Sequence, residues 1–317
     1  MALDYSILSS ICVGIVCVQI IHIVLPWLYA NIIGPTFFGP KINLCQMGAW
    51  AVVTGATDGI GKAYAKALAK KGINVILISR SLSKLEAVAK ELTDAYKVQI
   101  KIIDIDFKDG PQIYQKIEKN ITGLDIGILV NNVGICYLCP EFFIEYITCY
   151  PQFLRDIISV NIHSVTHMCA LVLPNMIAKK KGVIINVSSI SAVTPSPLVS
   201  VYAATKAFVD KFSDELQTEY QSQGIIVQTL RPYLVVTNMM HKFKPNLFAP
   251  SAEVYVDSAL KTVGITSQTN GYFLHTLPQF INHLLNLIVG RHITKILRFK
   301  LLKIVRKRAL SNLDKNK

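Results

Sequence analysis

The chain is short of charge, and of acid above all. Charged residues make up 17% of its 317 positions, and 33 Lys and Arg outnumber 20 Asp and Glu. With 51% hydrophobic residues, that shortage excludes a mostly disordered chain. Gly and Pro, 17 and 13, are too few for a fibrous or low-complexity protein. Seven cysteines, odd in number and unevenly spaced, exclude a disulfide framework. Cys136 and Cys139 form a lone C-x-x-C, but no second ligand pair stands at a spacing that would complete a zinc site. They read as packed thiols, with a redox pair as the alternative, and no metal is expected. H-E-x-x-H is missing too, so His163 and His167, four apart, read as structural.

Two local absences carry more weight. From Tyr5 to Pro40 there is no Asp, Glu, Lys or Arg. About 20 apolar residues cross a bilayer as a helix, and residues 7–29 suffice. The rivals are a cleaved signal peptide and a buried core helix. The first lacks its basic leader and its small-residue cleavage site. Asp4 lies before the run and Lys41, Lys62 and Lys66 after it, which puts the body in the cytosol. At the other end, residues 291–317 hold ten Lys and Arg against one Asp. Ile293, Leu297, Leu301, Ile304 and Val305 recur there at helical spacing among Lys295, Arg298, Lys303 and Arg306. Lys300 and Lys307 interrupt the apolar face. This predicts a basic amphipathic helix on anionic lipid rather than a nucleic-acid arm, with a solvated helix as the alternative.

Between these ends, β-branched apolar runs recur at 51–53, 75–78, 100–103, 126–130, 183–187, 225–230 and 272–274, with helix-like segments between most of them. Alternation of this kind predicts an α/β fold: a Rossmann-type doubly wound parallel sheet of about seven strands. The expected organisation is an anchor at 1–40, a linker at 41–48, a catalytic domain at 49–275 and a membrane-associated basic tail at 276–317.

The first run leads into Gly55, Thr57, Asp58, Gly59, Ile60 and Gly61 and then a helix. Glycines at that junction let backbone approach a pyrophosphate at the helix N-terminus. The second absence follows: after Gly61 the first acid is Glu86. NAD needs a carboxylate at the end of the second strand, where this chain has Ser79-Arg80. The expected cofactor is NADPH, with Arg80 on its 2′-phosphate. Further on, Tyr202 and Lys206 stand one helical turn apart, and Ser188-Ser189 follows the fifth run. An ammonium beside a phenol lowers its pKa, and a serine hydroxyl can hold a carbonyl oxygen.

These motifs resemble the short-chain dehydrogenase/reductases over about 230 residues: T-G-x-x-x-G-x-G from Thr54, N-N-V-G from Asn131, Ser189 thirteen before Tyr202, and Y-x-x-x-K. The resemblance implies that Tyr202 is the proton donor and that Lys206 lowers its pKa and binds ribose. Ser189 would orient the carbonyl, Asn161 would hold a water next to Lys206, Asn132 would line the cofactor, and Asp106 would meet adenine. The expected cofactor contacts are Gly55, Thr57, Asp58, Gly59, Ile60, Gly61, Arg80, Lys84, Asp106, Asn132, Tyr202, Lys206 and Thr237.

TGATDGIGKAYA, GILVNNVG, YAATKAFVD and TNGYFLH are similar to the family's membrane-bound branch of very-long-chain 3-oxoacyl-CoA reductases and 17β-hydroxysteroid dehydrogenases of types 12 and 3. That branch implies an endoplasmic-reticulum membrane, a lipid-like ketone (acyl-CoA first, 17-ketosteroid second), a homodimer and fatty-acid elongation enzymes as partners. Tyr233 departs from the Gly that most members carry after the Pro. Residues 234–269 fall where the family keeps its substrate loop. They include Met239, Met240, Phe243, Leu247 and Phe248, with Lys242 and Lys244 available for an anionic head. A non-catalytic membrane scaffold is the reading from another class.

Overall fold

A computed structural model describes residues 5–29, 33–34, 37, 42–237 and 244–314. Seven parallel strands form one sheet in the order β3-β2-β1-β4-β5-β6-β7. They are β1 Trp50–Thr54, β2 Asn74–Ser79, β3 Ile100–Asp104, β4 Ile126–Asn131, β5 Gly182–Val187, β6 Ile225–Leu230 and β7 Gln268–Thr269. The order reverses between β1 and β4, and the carboxyl ends of those two strands open the crevice where doubly wound sheets bind ligands.

Both faces of the sheet are covered. Successive side chains of a strand point to opposite faces, so Ala51 and Val53 join one core while Val52 joins the other. The first core takes helices α2 Gly59–Ala69, α3 Leu82–Tyr96 and α9 Ala252–Leu260. The second takes α4 Gln112–Ile121, α7 Ser164–Lys179 and α8 Ser200–Tyr220. Every residue of β4 and β5 is buried, which explains why these strands read as unbroken apolar runs.

Six strands lie within a residue or two of their expected positions. The seventh does not. Residues 273–275 form a 3-10 turn, and β7 is the polar pair Gln268–Thr269, matched to Thr229 and Leu230. Tyr272 packs edge-on against the buried His275 instead. The long helix expected near 152–181 is α6 Phe153–Ile158, a π turn Ser159–His163 and then α7. The span Phe153–Lys179 is apolar and long enough to cross a membrane, but its most apolar stretch is half buried, and it serves the core. His167 stacks on Tyr114 with ring centroids 4.1 Å apart, a packing role.

The two ends are helical. α1 Tyr5–Leu28 exposes Ile7, Ile11, Ile15, Val18, Ile21 and Leu25. α10 Thr276–Asp314 is two helices joined at Gly290, whose φ of 79° breaks the helical path. Trp27 of α1 meets Phe273 and Phe280, with centroids 5.5 and 6.3 Å away. A short α5, Phe143–Cys149, follows the loop that leaves β4.

Candidate active site

The turn from β1 into α2 is built for close approach. Gly55 and Gly59 take φ of +64° and +52°, a left-handed conformation that L side chains rarely adopt. A Cβ on Gly61 would overlap the Gly55 carbonyl and the Asn132 amide. Asp58 caps α2 by accepting from Gly59 N at 2.7 Å. Asn132 Nδ2 donates to Thr54 O at 3.0 Å and Gly55 O at 3.3 Å, tying the loop after β4 to the glycine turn. Thr237 stands over Gly59, so that a Cβ there would lie 2.7 Å from its methyl group. Bare backbone at a helix N-terminus, walled by Asn132 and Thr237, fits the pyrophosphate of a dinucleotide.

At the neighbouring strand end, Thr57 Oγ1 and Ser79 Oγ share a hydrogen bond of 3.0 Å. Arg80 follows, two-thirds exposed, with its guanidinium 3.9 Å from Asp106. Asp106 also accepts from Lys108 N at 3.0 Å. Lys84 is exposed on α3. A solvent-facing cation with no carboxylate of its own strand end suits a phosphate better than a ribose diol.

The second cluster stands where α8 passes the end of β5. Lys206 is buried, and its Nζ donates to Val187 O at 2.8 Å. Its Nζ lies 5.8 Å from the centre of the Tyr202 ring. Ser189 lies just past the end of β5, its hydroxyl accepts from Ser191 N at 3.1 Å, and it is close enough to Tyr202 to influence the phenol. Asn161 sits in the π turn, a geometry common at functional sites. Its amide accepts from Ile135 N at 2.8 Å and donates to Ile135 O and Thr205 Oγ1 at 3.0 Å each. Gly134 lies between Asn161 and Lys206; a Cβ on it would sit 3.5 and 3.4 Å from their side-chain atoms. Ser189 from the loop after β5, Tyr202 and Lys206 from α8 and Asn161 from the π turn therefore come from three elements to one place.

The electrostatics differ from expectation in one respect. Burial raises the Tyr202 phenol, and the lowering influence is the Ser189 hydrogen bond, not the lysine. The ammonium is held by the Val187 carbonyl, over the Tyr202 ring but 5.8 Å from its centre. Burial in turn lowers Lys206 to about 8. A raised phenol stays protonated at neutral pH, which is the form a proton donor needs.

Three supporting contacts escaped sequence reasoning. Thr54 Oγ1 accepts from the main-chain N of both Asn132 and Val133, at 2.9 and 3.1 Å. Ser188 Oγ donates to the Lys206 carbonyl at 2.8 Å. Glu141 forms a bidentate pair with Arg306. The first two adjoin quoted motifs; nothing in the sequence marks the third. Tyr233 causes no distortion: its N donates to His275 Nδ1 at 3.3 Å and it needs no positive φ. Met239, Met240, Lys242 and Phe243 lie outside the described residues. Leu247 and Phe248 are exposed, whereas α9, in the same stretch, is core against α2.

The short chain dehydrogenase family model matches residues 49–247. The chain belongs to the short-chain dehydrogenase family. Curated relatives of this dehydrogenase include very-long-chain 3-oxoacyl-CoA reductase-A of Danio rerio, 52% identical over 76% of this chain and 75% of that protein. The human very-long-chain 3-oxoacyl-CoA reductase is 49% identical over 73% of each. Among solved structures, a short-chain dehydrogenase from Sphingobium yanoikuyae in complex with NADPH aligns with TM-score 0.60 and 28% identity, over 67% of this chain and 82% of that one. A 7β-hydroxysteroid dehydrogenase aligns with TM-score 0.72 at 22% identity, over 81% and 99%, which speaks to fold alone.

Proposed function

We propose that this short-chain dehydrogenase is an NADPH-dependent reductase that converts a very-long-chain 3-oxoacyl-CoA to its 3-hydroxyacyl-CoA. The meeting of Ser189, Tyr202 and Lys206 beside the glycine turn carries the reductase reading. The names of relatives near 50% identity support the substrate, and the NADPH complex of a structural neighbour supports the cofactor Arg80 suggests.

Gly55, Gly59 and Gly61 with Thr57, Asp58 and Ile60 would hold the pyrophosphate. Arg80 and Lys84 would meet the 2′-phosphate, Asp106 the adenine, and Asn132 and Thr237 the walls. The bound nucleotide supplies a hydride to the ketone carbon. Ser189 Oγ donates a hydrogen bond to the carbonyl oxygen, where charge develops. Tyr202 Oη, kept protonated by burial, gives its proton to that oxygen. Lys206 then faces a phenolate, which its ammonium stabilises. Asn161 holds the Ile135 loop against α8, and a water between it and Lys206 would lead the replacement proton in from solvent.

The same proposal extends to the ends. α1 anchors the chain in the endoplasmic-reticulum membrane with the catalytic domain in the cytosol. The second half of α10 lies along the lipid surface. Residues 41–48 link anchor to the catalytic domain at 49–275. Exposed Phe208, stacked on Phe212 of α8, offers apolar area for a homodimer contact. Enzymes of fatty-acid elongation in the same membrane are its expected neighbours.

The test is NADPH oxidation by the purified, detergent-solubilised protein with a 3-oxoacyl-CoA of eighteen or more carbons, against estrone. The acyl-CoA should win in kcat/KM. A preference for estrone above about tenfold, or about 1.4 kcal/mol, overturns the substrate.

A further inference from the structure

The basic tail does not simply leave the catalytic domain. It returns to the loop that follows β4. Arg306 Nε and Nη2 reach the two carboxylate oxygens of Glu141 at 2.6 and 2.9 Å, across 165 positions of sequence. Phe142 meets Phe299 edge to face, with ring centroids 6.2 Å apart. Lys303 lies 4.5 Å from the Phe299 ring centre and 5.9 Å from that of Phe142. The Arg306 guanidinium is 5.4 Å from the Phe142 ring. Planar bidentate pairing and cation–π contact at one spot make a defined joint rather than a passing surface ion pair.

The far side of that joint is the catalytic helix. Glu141 N donates to Leu198 O at 2.8 Å. Leu198 has φ of 65°, a strained conformation for a bulky residue, and it stands four positions before Tyr202. Tyr137 Oη accepts from Val201 N at 3.4 Å, and Tyr137, Tyr146 and Phe153 form a small core on which Val199, Val201 and Tyr202 rest. A continuous path of contacts thus runs from Arg306 through Glu141 and Leu198 to the start of α8. Glu141 has its carboxyl held below the usual range: burial opposes ionisation, but bonds from Arg306 and Phe142 N outweigh it.

We propose that Arg306 is a positioning residue for the ketone site. Its pair with Glu141 latches the tail onto the 137–142 loop and keeps that wall in place beside Tyr202. The latch makes the tail part of the acyl-CoA site, and in this it rests on the reductase reading above. Without it the wall populates its competent state less often, and apparent substrate affinity falls by that fraction. Substrate bound at saturation restores the competent state, so kcat is spared.

The full-length protein in detergent micelles gives two readouts. In Arg306→Gln, amide hydrogen exchange across 137–142 should rise at least about fivefold without substrate. KM for the 3-oxoacyl-CoA should rise at least about fivefold, with kcat within about twofold and NADPH affinity unchanged. Glu141→Gln, a milder change, should do the same. Combining Glu141→Arg with Arg306→Glu should bring both quantities back toward native values. Unchanged exchange and KM in Arg306→Gln, or a reversed pair no better than its single members, would overturn the latch. If the native protein turns over no acyl-CoA, the reductase reading fails, and exchange alone decides the latch.

Discussion

Lys206 shows what burial does to a single charge. Removed from water and bonded to Val187 O, it holds its proton only up to about pH 8. Below that value it is cationic and, in the proposed mechanism, would attract both the nucleotide and a developing phenolate. Above it that attraction goes. Accordingly kcat/KM for NADPH, which reports on the free protein, should fall about tenfold per pH unit above about 8. Lys206→Arg should lose that fall, since arginine stays charged. A native profile flat to pH 10 would contradict this. Arg80 is the opposite case, a cation two-thirds exposed at a strand end. Arg80→Asp should lower the NADPH-over-NADH ratio of kcat/KM by more than about tenfold. An unchanged ratio would return Arg80 to the role of a surface arginine. Tyr202, Lys206 and Ser189 were legible in the sequence because residue type and spacing carry their chemistry. The partner of the lysine was not: only the folded chain shows the Val187 carbonyl that holds Nζ.

At the scale of elements, the glycine turn is the tightest constraint. An added methyl at Gly61 has no room between the Gly55 carbonyl and Asn132, both of which belong to backbone-anchored groups. Gly61→Ala should therefore weaken NADPH binding at least about a hundredfold, close to 2.7 kcal/mol, while the fold survives. Fluorescence titration of the nucleotide measures it, and native affinity would show that the nucleotide binds elsewhere. The strands β1 to β6 could be read in advance because a parallel strand buried on both faces is an apolar run. β7 could not. It is two polar residues at a sheet edge, and of the apolar run nearby Tyr272 packs on His275 while Phe273 meets Trp27. The π turn at Asn161 was equally hidden, since no residue type marks such a turn.

At the scale of the molecule, a fold common to many dehydrogenases carries a long helix towards each end of the described residues. α1 carries no charge along Tyr5–Leu28 and presents apolar side chains outward, whereas α10 mixes apolar residues with lysine and arginine. Deleting α1 should make the protein extractable from membranes by alkaline carbonate, with α10 supporting only peripheral attachment. Retention of the shortened chain through that wash would contradict the anchor. The contact of Glu141 with Arg306 belongs to this scale too, and no local pattern could reveal a pair so distant in sequence. The account as a whole rests on one proton, that of the buried phenol. The direct measurement is turnover by Tyr202→Phe with NADPH and a long-chain 3-oxoacyl-CoA, alongside nucleotide affinity. We expect kcat/KM to drop by about a thousandfold or more, with NADPH bound as in the native protein. Turnover within tenfold of native would contradict it.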